Sequence, residues 1–238
     1  MLKFKFISII SYILFFPVFI ISSIILILIS FVHLPTFFIV DKFFCRIIML
    51  TLFISPKIVG TFPKDNQYII MMNHSSFIDA FLFPLIPVGA YSGVTAKNNF
   101  KIPIFSSLIK RIQAIPIDRY NLESAIKSIN KAEEVLKQGI HIGILPEGTR
   151  SLNGKMLPLK KGGFHMAINT NTAIVPVGIR GAFSFKPKNR WWTMPTKITI
   201  NIGEKINTKI YSEIEIKGLK DLVESKLKAL SGENNDKL

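Results

Sequence analysis

The chain has 238 residues, enough for one ordinary domain with a short appendage and a buried core. Lys and Arg number 30 against 15 Asp and Glu, a formal net charge of +15, yet 49% of the residues are hydrophobic and only 19% are charged. That apolar content excludes a disordered basic tail, and the single Cys45 excludes a disulfide scaffold and a zinc site built on cysteines.

A chain both oily and basic points to a membrane surface or an anionic ligand ahead of nucleic acid. From Ile7 to Val32 there are 26 consecutive residues without a charge. About 20 helical residues cross a bilayer core, so the run is long enough to be a retained membrane segment. It is too long for the apolar part of a cleavable signal peptide. Pro17 is expected to kink or break the helix. A second apolar run, Phe43 to Ser55, carries Arg46, and Pro35, Asp41 and Lys42 lie between the two. Lys3 and Lys5 precede the first run, and Lys57 and Lys64 follow the second. Basic residues on both sides leave the orientation open and fit a helical pair that enters one leaflet and returns. Residues 1–58 are therefore expected to form a hydrophobic helical anchor, a two-helix hairpin, ahead of a second unit over 59–238, with a single span and a buried hairpin of a soluble core left open.

The second unit alternates strands and helices. Tyr68 to Met72 predicts a strand running into Asn73-His74-Ser75-Ser76, and Phe77 to Leu85 a short helix around Asp79. Ile112 to Ile117 predicts a strand. Asn121 can cap a helix whose stripe is Leu122, Ala125, Ile126, Ile129, Ala132 and Leu136, stopped by Gly139. Ile140 to Leu145 predicts a strand ending at Pro146-Glu147-Gly148-Thr149-Arg150, and Gly163 to Asn169 a helix. Ala173 to Ile179 predicts a strand, with Pro176 placing it at an edge or a strand end. Ile198, Ile200 and Ile202 alternate as in a half-buried strand, and Leu219, Leu222, Val223, Leu227 and Leu230 make a last amphipathic helix. Residues from Gly232 onward read as a frayed tail. The fold class is α/β, a mixed sheet flanked by helices, with the site at the strand ends.

Two strand ends are chemically loaded. His74 and Asp79 are separated by four residues. One helical turn brings the carboxylate back to the imidazole, fixing its tautomer and leaving the other nitrogen to accept a proton. The same residues also fit a capping arrangement, with Ser75 or Ser76 as N-cap and Asp79 at the helix start. No Gly-x-Ser-x-Gly elbow supports a serine hydrolase, and no His-Glu-x-x-His supports a metal site. Gly143 and Gly148 have phosphate-loop spacing, but Thr149-Arg150 follows where Lys-Ser/Thr is required.

Asn73-His74-Ser75-Ser76-Phe77-Ile78-Asp79 resembles the His-x4-Asp motif of the glycerolipid acyltransferases. Ala114 to Arg119, Pro146 to Ser151 and Ile174 to Gly178 resemble the family's second, third and fourth blocks, in the family's order. The stretch from Ala96-Lys97 to Pro103 and the segment Lys160-Lys161-Gly162 are also similar. The pattern is most similar to bacterial 1-acylglycerol-3-phosphate acyltransferases. The resemblance implies that residues 59–238 are the catalytic domain, with His74 as general base oriented by Asp79 and no acyl-enzyme. It implies that Glu147, Gly148, Thr149, Arg150, Arg119 and Lys97 bind substrate. Its acceptor is lysophosphatidic acid; its donor is acyl-CoA or acyl carrier protein, a co-substrate, with no cofactor or metal. Partners are then membrane lipids and not nucleic acid, and the place of work is a membrane, on the cytoplasmic face of the inner membrane in a bacterium. Backbone amides around Gly148 are candidate oxyanion donors. Other lysophospholipids and glycerol 3-phosphate stay open as acceptors, and a membrane hydrolase or a non-catalytic membrane-binding module stays open as the function.

Overall fold

The computed structural model describes residues 1–87, 89–117 and 122–233. Two long helices come first. Helix α1, Leu2–Val32, runs unbroken through Pro17, so the expected break does not occur. Extended His33 turns the chain directly into α2, Leu34–Thr51, where Pro35 sits in the first turn, a position that needs no N–H. The second helix therefore begins well before Phe43 and takes Asp41, Lys42 and Arg46 into it. α1 is long and apolar enough to cross a membrane.

Among the described residues seven strands form one sheet: β1 Lys57–Val59, β2 Ile69–Met72, β3 Tyr91–Ala96, β4 Ile115–Ile117, β5 His141–Ile144, β6 Ile174–Arg180 and β7 Thr199–Ile202. Their order is β1-β7-β6-β2-β5-β3-β4. Every pair is parallel except β6 with β7, so the sheet is mixed, as expected. Among the described residues five further helices connect the strands, α3 Asp79–Leu82, α4 Phe105–Arg111, α5 Leu122–Lys137, α6 Gly162–Asn169 and α7 Ala182–Phe185, and α8 Ile216–Ser231 follows the last strand. The strand β1 crosses the expected division at residue 58. Strand β3 and helix α4 are additions to the expected elements. Asn121, the expected cap of α5, and residues 234–238 of the expected tail lie outside the described residues.

Both faces of the sheet are covered, which is why its central strands read as continuous apolar runs. On β2, Ile70 and Met72 point to one core with Val175 and Val177 of β6, and Ile69 and Met71 point to the other with Ile142 of β5 and Ile174. Helices α5, α6 and α8 supply the second core. Phe15, Cys45, Ile48, Met49 and Leu52 of the hairpin supply the first, beside Ile78 and Phe185. The hairpin is thus a layer of the fold packed on the sheet. Asp41 of α2 reinforces the contact by accepting from the Tyr91 hydroxyl of β3 and, at 3.6 Å, from Cys45 Sγ.

The first turns of α1 are tied to a loop far along the chain. Ser8 Oγ accepts from the Thr193 N–H at 2.7 Å, the Tyr12 hydroxyl donates to the Trp191 carbonyl at 2.5 Å, and Lys5 Nζ lies 5.3 Å from the centre of the Trp192 ring.

Strand β6 is internal, between β2 and β7, which corrects the edge position read from Pro176. A residue's N and C=O face the same neighbour in a strand, and the Pro176 carbonyl accepts from the Gly203 N–H at 2.9 Å. The missing N–H therefore faces the chain just beyond the end of β7, where the ladder has already stopped at Val177 and Ile202. At Gly178 a Cβ would stand 2.3 Å from the Leu230 backbone, so glycine is what lets α8 lie against β6.

Candidate active site

Strands β5, β2 and β6 are adjacent and parallel, so their C-terminal ends open on one edge of the sheet. That edge receives His74 after β2, the Pro146–Ser151 turn after β5, and α7 with Lys186 after β6.

His74 is held from several sides. Its Nδ1 lies 2.9 Å from Asp79 Oδ2, and the ring keeps 21% of its surface exposed while Asp79 is fully buried. Oδ2 also accepts from the N–H groups of Ser75 at 2.8 Å and Ser76 at 2.9 Å. Three donors converge on one carboxylate oxygen, so Nδ1 carries the proton and Nε2 is left as the acceptor. Neither serine side chain caps α3: its N-cap is Ile78, and Ser76 Oγ donates instead to the Lys186 carbonyl at 2.8 Å. Of the two readings left open by the spacing, the His-Asp contact of the first is present, and of the second only Asp79 in the first turn of α3 is, without a side-chain cap.

Asn73 acts as a piece of strand. Its amide donates to the Ile179 carbonyl at 3.0 Å and its oxygen accepts from the Ile179 N–H at 2.6 Å, fastening the His74 loop to β6. Glu147 fastens the other side. One oxygen accepts from the His74 N–H at 2.6 Å and the other from the Leu157 N–H at 2.8 Å. Expected at the acceptor, Glu147 is instead 2% exposed with both oxygens on backbone. Burial pushes its carboxyl up to about 7, against the pull of those two N–H groups.

Gly148 has φ +74°, a left-handed turn position that glycine takes without strain. Its N–H donates to the Leu145 carbonyl at 2.9 Å and is therefore not a free oxyanion donor. Thr149 is exposed and Arg150 half-buried. The Ser151 N–H donates to the His74 carbonyl at 3.1 Å, which sets Arg150 beside the His-Asp pair. Lys97 is exposed at the end of β3, on the same edge of the sheet, with no ion pair among the described residues. Arg119 lies outside the described residues.

Two features escape sequence reasoning. Lys186 stands half-buried beside the site, its Nζ 5.5 Å from the centre of the Phe77 ring. Burial first, then the charges of Arg150 and Arg190, hold its ammonium below the usual lysine range. Nothing in the spacing marks it, because it reaches the site only through the turn at Gly181 and α7. The other is an apolar cavity between the hairpin and the sheet, lined by Phe19, Leu26, Phe44, Val94 and Leu108 and reaching Asp79. A strip of apolar residues from elements far apart in the chain has no local signature.

Comparison with known proteins agrees with this geometry. The acyltransferase family profile matches residues 56–180. A 1-acyl-sn-glycerol-3-phosphate acyltransferase of Cocos nucifera is 35% identical over 161 residues, which cover 67% of this chain and 52% of that protein. One of Borreliella burgdorferi is 28% identical, with 69% and 66% covered. The chain spans about half the length of the plant relatives it matches. The crystal structure of the 1-acyl-sn-glycerophosphate acyltransferase PlsC of Thermotoga maritima superposes with TM-score 0.84 at 25% identity, over 100% of this chain and 98% of that one. The chain belongs to the acyltransferase family, among relatives named 1-acyl-sn-glycerol-3-phosphate acyltransferases.

Proposed function

We propose that the protein moves a fatty acyl group from a thioester on coenzyme A or acyl carrier protein to the sn-2 hydroxyl of lysophosphatidic acid, giving phosphatidic acid at a membrane. The observation that carries this reading is the His74 Nδ1 to Asp79 Oδ2 contact of 2.9 Å, with Nε2 left to act as base. Nε2 removes the hydroxyl proton as the oxygen attacks the thioester carbon. The tetrahedral oxyanion then collapses, the C–S bond breaks, and the proton passes from His74 to the departing thiolate. Asp79 holds the ring and stabilises the imidazolium between these steps. The acceptor is itself the nucleophile, so no acyl-enzyme is needed, and the scheme calls on no cofactor beyond the acyl carrier.

The names carried by the relatives support the acceptor. The apolar cavity reaching Asp79 is suited to the donor's acyl chain. The outward face of α1 carries Phe6, Ile13, Phe16, Ile21 and Leu28, and a membrane is the solvent that suits it. In a bacterium the working face is the cytoplasmic side of the inner membrane, where both donors are made.

The test is an acyl-transfer assay of purified protein with both donors against lysophosphatidic acid, other lysophospholipids and glycerol 3-phosphate. Phosphatidic acid should be the main product, and His74→Ala should lower the rate by about 10³-fold with the fold retained. Free fatty acid without an acylated lipid, or transfer that survives His74→Ala, would overturn the reading.

A further inference from the structure

Lys186 has a position more constrained than a surface lysine. Its carbonyl is bonded to Ser76, inside the His-x4-Asp segment, and its ammonium lies over the Phe77 ring of that same segment. Arg150 approaches from the opposite side, on the turn whose Ser151 N–H is bonded to His74. A third cation, Arg190, is already committed. Its guanidinium donates to the carbonyls of Ser184, Phe185 and Trp192.

Arg150 and Lys186 are different. Among the described residues neither has a carboxylate partner. The nearby acids, Asp79 and Glu147, spend their bonded oxygens on His74 and on backbone N–H groups. Two half-buried cations that flank the His74 segment, with no carboxylate partner among the described residues, disfavour the protein until an anion joins them.

We propose that Lys186 and Arg150 together clamp a phosphate group of a substrate next to His74, Arg150 through its planar fork and Lys186 as a point charge. The proposal rests on the acyl-transfer reading and adds a residue to it. Both substrates carry phosphate. In lysophosphatidic acid the sn-2 hydroxyl and the phosphate ester sit on neighbouring carbons, so a hydroxyl at His74 puts its phosphate within reach of cations that flank His74. In the donor the phosphates are separated from the thioester by the whole pantetheine arm. The geometry therefore favours the acceptor's phosphate.

The experiment compares wild-type, Lys186→Met and Lys186→Arg full-length protein in one vesicle or detergent system, with exposed Lys188→Met as control. Acyl transfer is measured to lysophosphatidic acid and to 1-monoacylglycerol, which lacks the phosphate. Lys186→Met should lower kcat/KM for lysophosphatidic acid by about 10- to 100-fold, the size of one lost charge-assisted bond. It should leave the slow transfer to monoacylglycerol and the donor KM within about two-fold. Lys186→Arg should restore most of the loss, and Lys188→Met should change little. A rise in donor KM with the acceptor terms unchanged would assign the clamp to the donor's phosphate. Equal losses on both acceptors, or none on either, would overturn it; melting curves of the variants separate that outcome from misfolding. Absence of transfer to lysophosphatidic acid by the wild type would instead sink the acyl-transfer reading itself.

Discussion

Helices α1 and α8 both lie against the same domain, and they are built inside out relative to each other. α8 buries Ile216, Leu219, Val223 and Leu227 and leaves its lysines, Asp221 and Glu224 off that buried stripe. α1 buries Ser8, Ser11, Ser22 and Ser23 with Phe15 and Leu26, while Ile13 is 65% and Leu28 62% exposed. Each of Ser8, Ser22 and Ser23 returns its hydroxyl to a backbone carbonyl of its own helix. Small residues on the inner face let α1 come close to its neighbours, and the aliphatics are left for an apolar solvent. On the proposed membrane reading one chain satisfies two solvents, and the inner faces of both helices are packed surfaces.

The largest test of this comparison is Ile13→Asp with Leu28→Asp. An Asp at the centre of a membrane-inserted helix costs about 2.5–3.5 kcal/mol. Retention on vesicles in high salt, measured by flotation, should therefore fall by about 10²-fold or more. Lys220→Asp on the outer face of α8 should leave retention unchanged. Full retention of the double variant would break the comparison.

Inner faces should respond in the opposite sense. In detergent, Leu227→Ala on α8 should cost about 2–5 kcal/mol of unfolding free energy, whereas Leu28→Ala on the outer face of α1 should cost little. Equal costs would mean that the exposed face of α1 is packed against protein.

The α/β side also holds a buried acid, Glu147, whose charge responds to pH. The folded pKa of Glu147 is about 7, above its ordinary 4.5, so the folded chain keeps a proton there that the unfolded chain releases. That contribution to stability is full below about pH 4.5, declines as the pH rises through about 7, and is then gone. Its span is about 3 kcal/mol at most. Melting temperatures taken across that window should fall with pH in the wild type and should lose that part of the slope in Glu147→Gln. An unchanged slope would show that Glu147 does not titrate there.

The smallest effect tests the seam between the regions. Ser8→Ala removes the acceptor of the Thr193 N–H and should cost about 1 kcal/mol, read from denaturant unfolding in detergent. No cost would show that this seam adds nothing to the joint between hairpin and domain.

What the sequence made legible was local. His74 and Asp79 are five positions apart, near enough in sequence to suggest the pair, although the helix starts only at Asp79 and a non-helical bend over 74–78, not a helical turn, brings them together. The stripes of α5 and α8 and the apolar runs of β2, β5 and β6 were equally plain. Strand β3, with Ser92, Gly93 and Thr95, lacks such a run, and its neighbours β5 and β4 are what make it a strand. Glu147 read as a ligand group because the backbone N–H of His74, 73 positions away in sequence, is not visible before folding. The uniform oiliness of α1 hid which of its faces turns inward. Lys186 had no motif to mark it, since tertiary contacts alone bring it to Ser76 and Phe77.

The bonds between the first turns of α1 and the loop at Trp191 to Thr193 carry a consequence of their own. That loop leaves α7 directly after Lys186. On the proposed reading, the helix that floats in the bilayer and the cation that meets the phosphate are joined by a short length of chain pinned at both ends. The depth at which α1 rides then sets the height of Lys186 above the acyl chains. Glycerophospholipid phosphates share one level in a leaflet, so on that reading the acceptor would be selected by altitude: a lipid whose charge lies deeper or shallower would pass beneath or above His74.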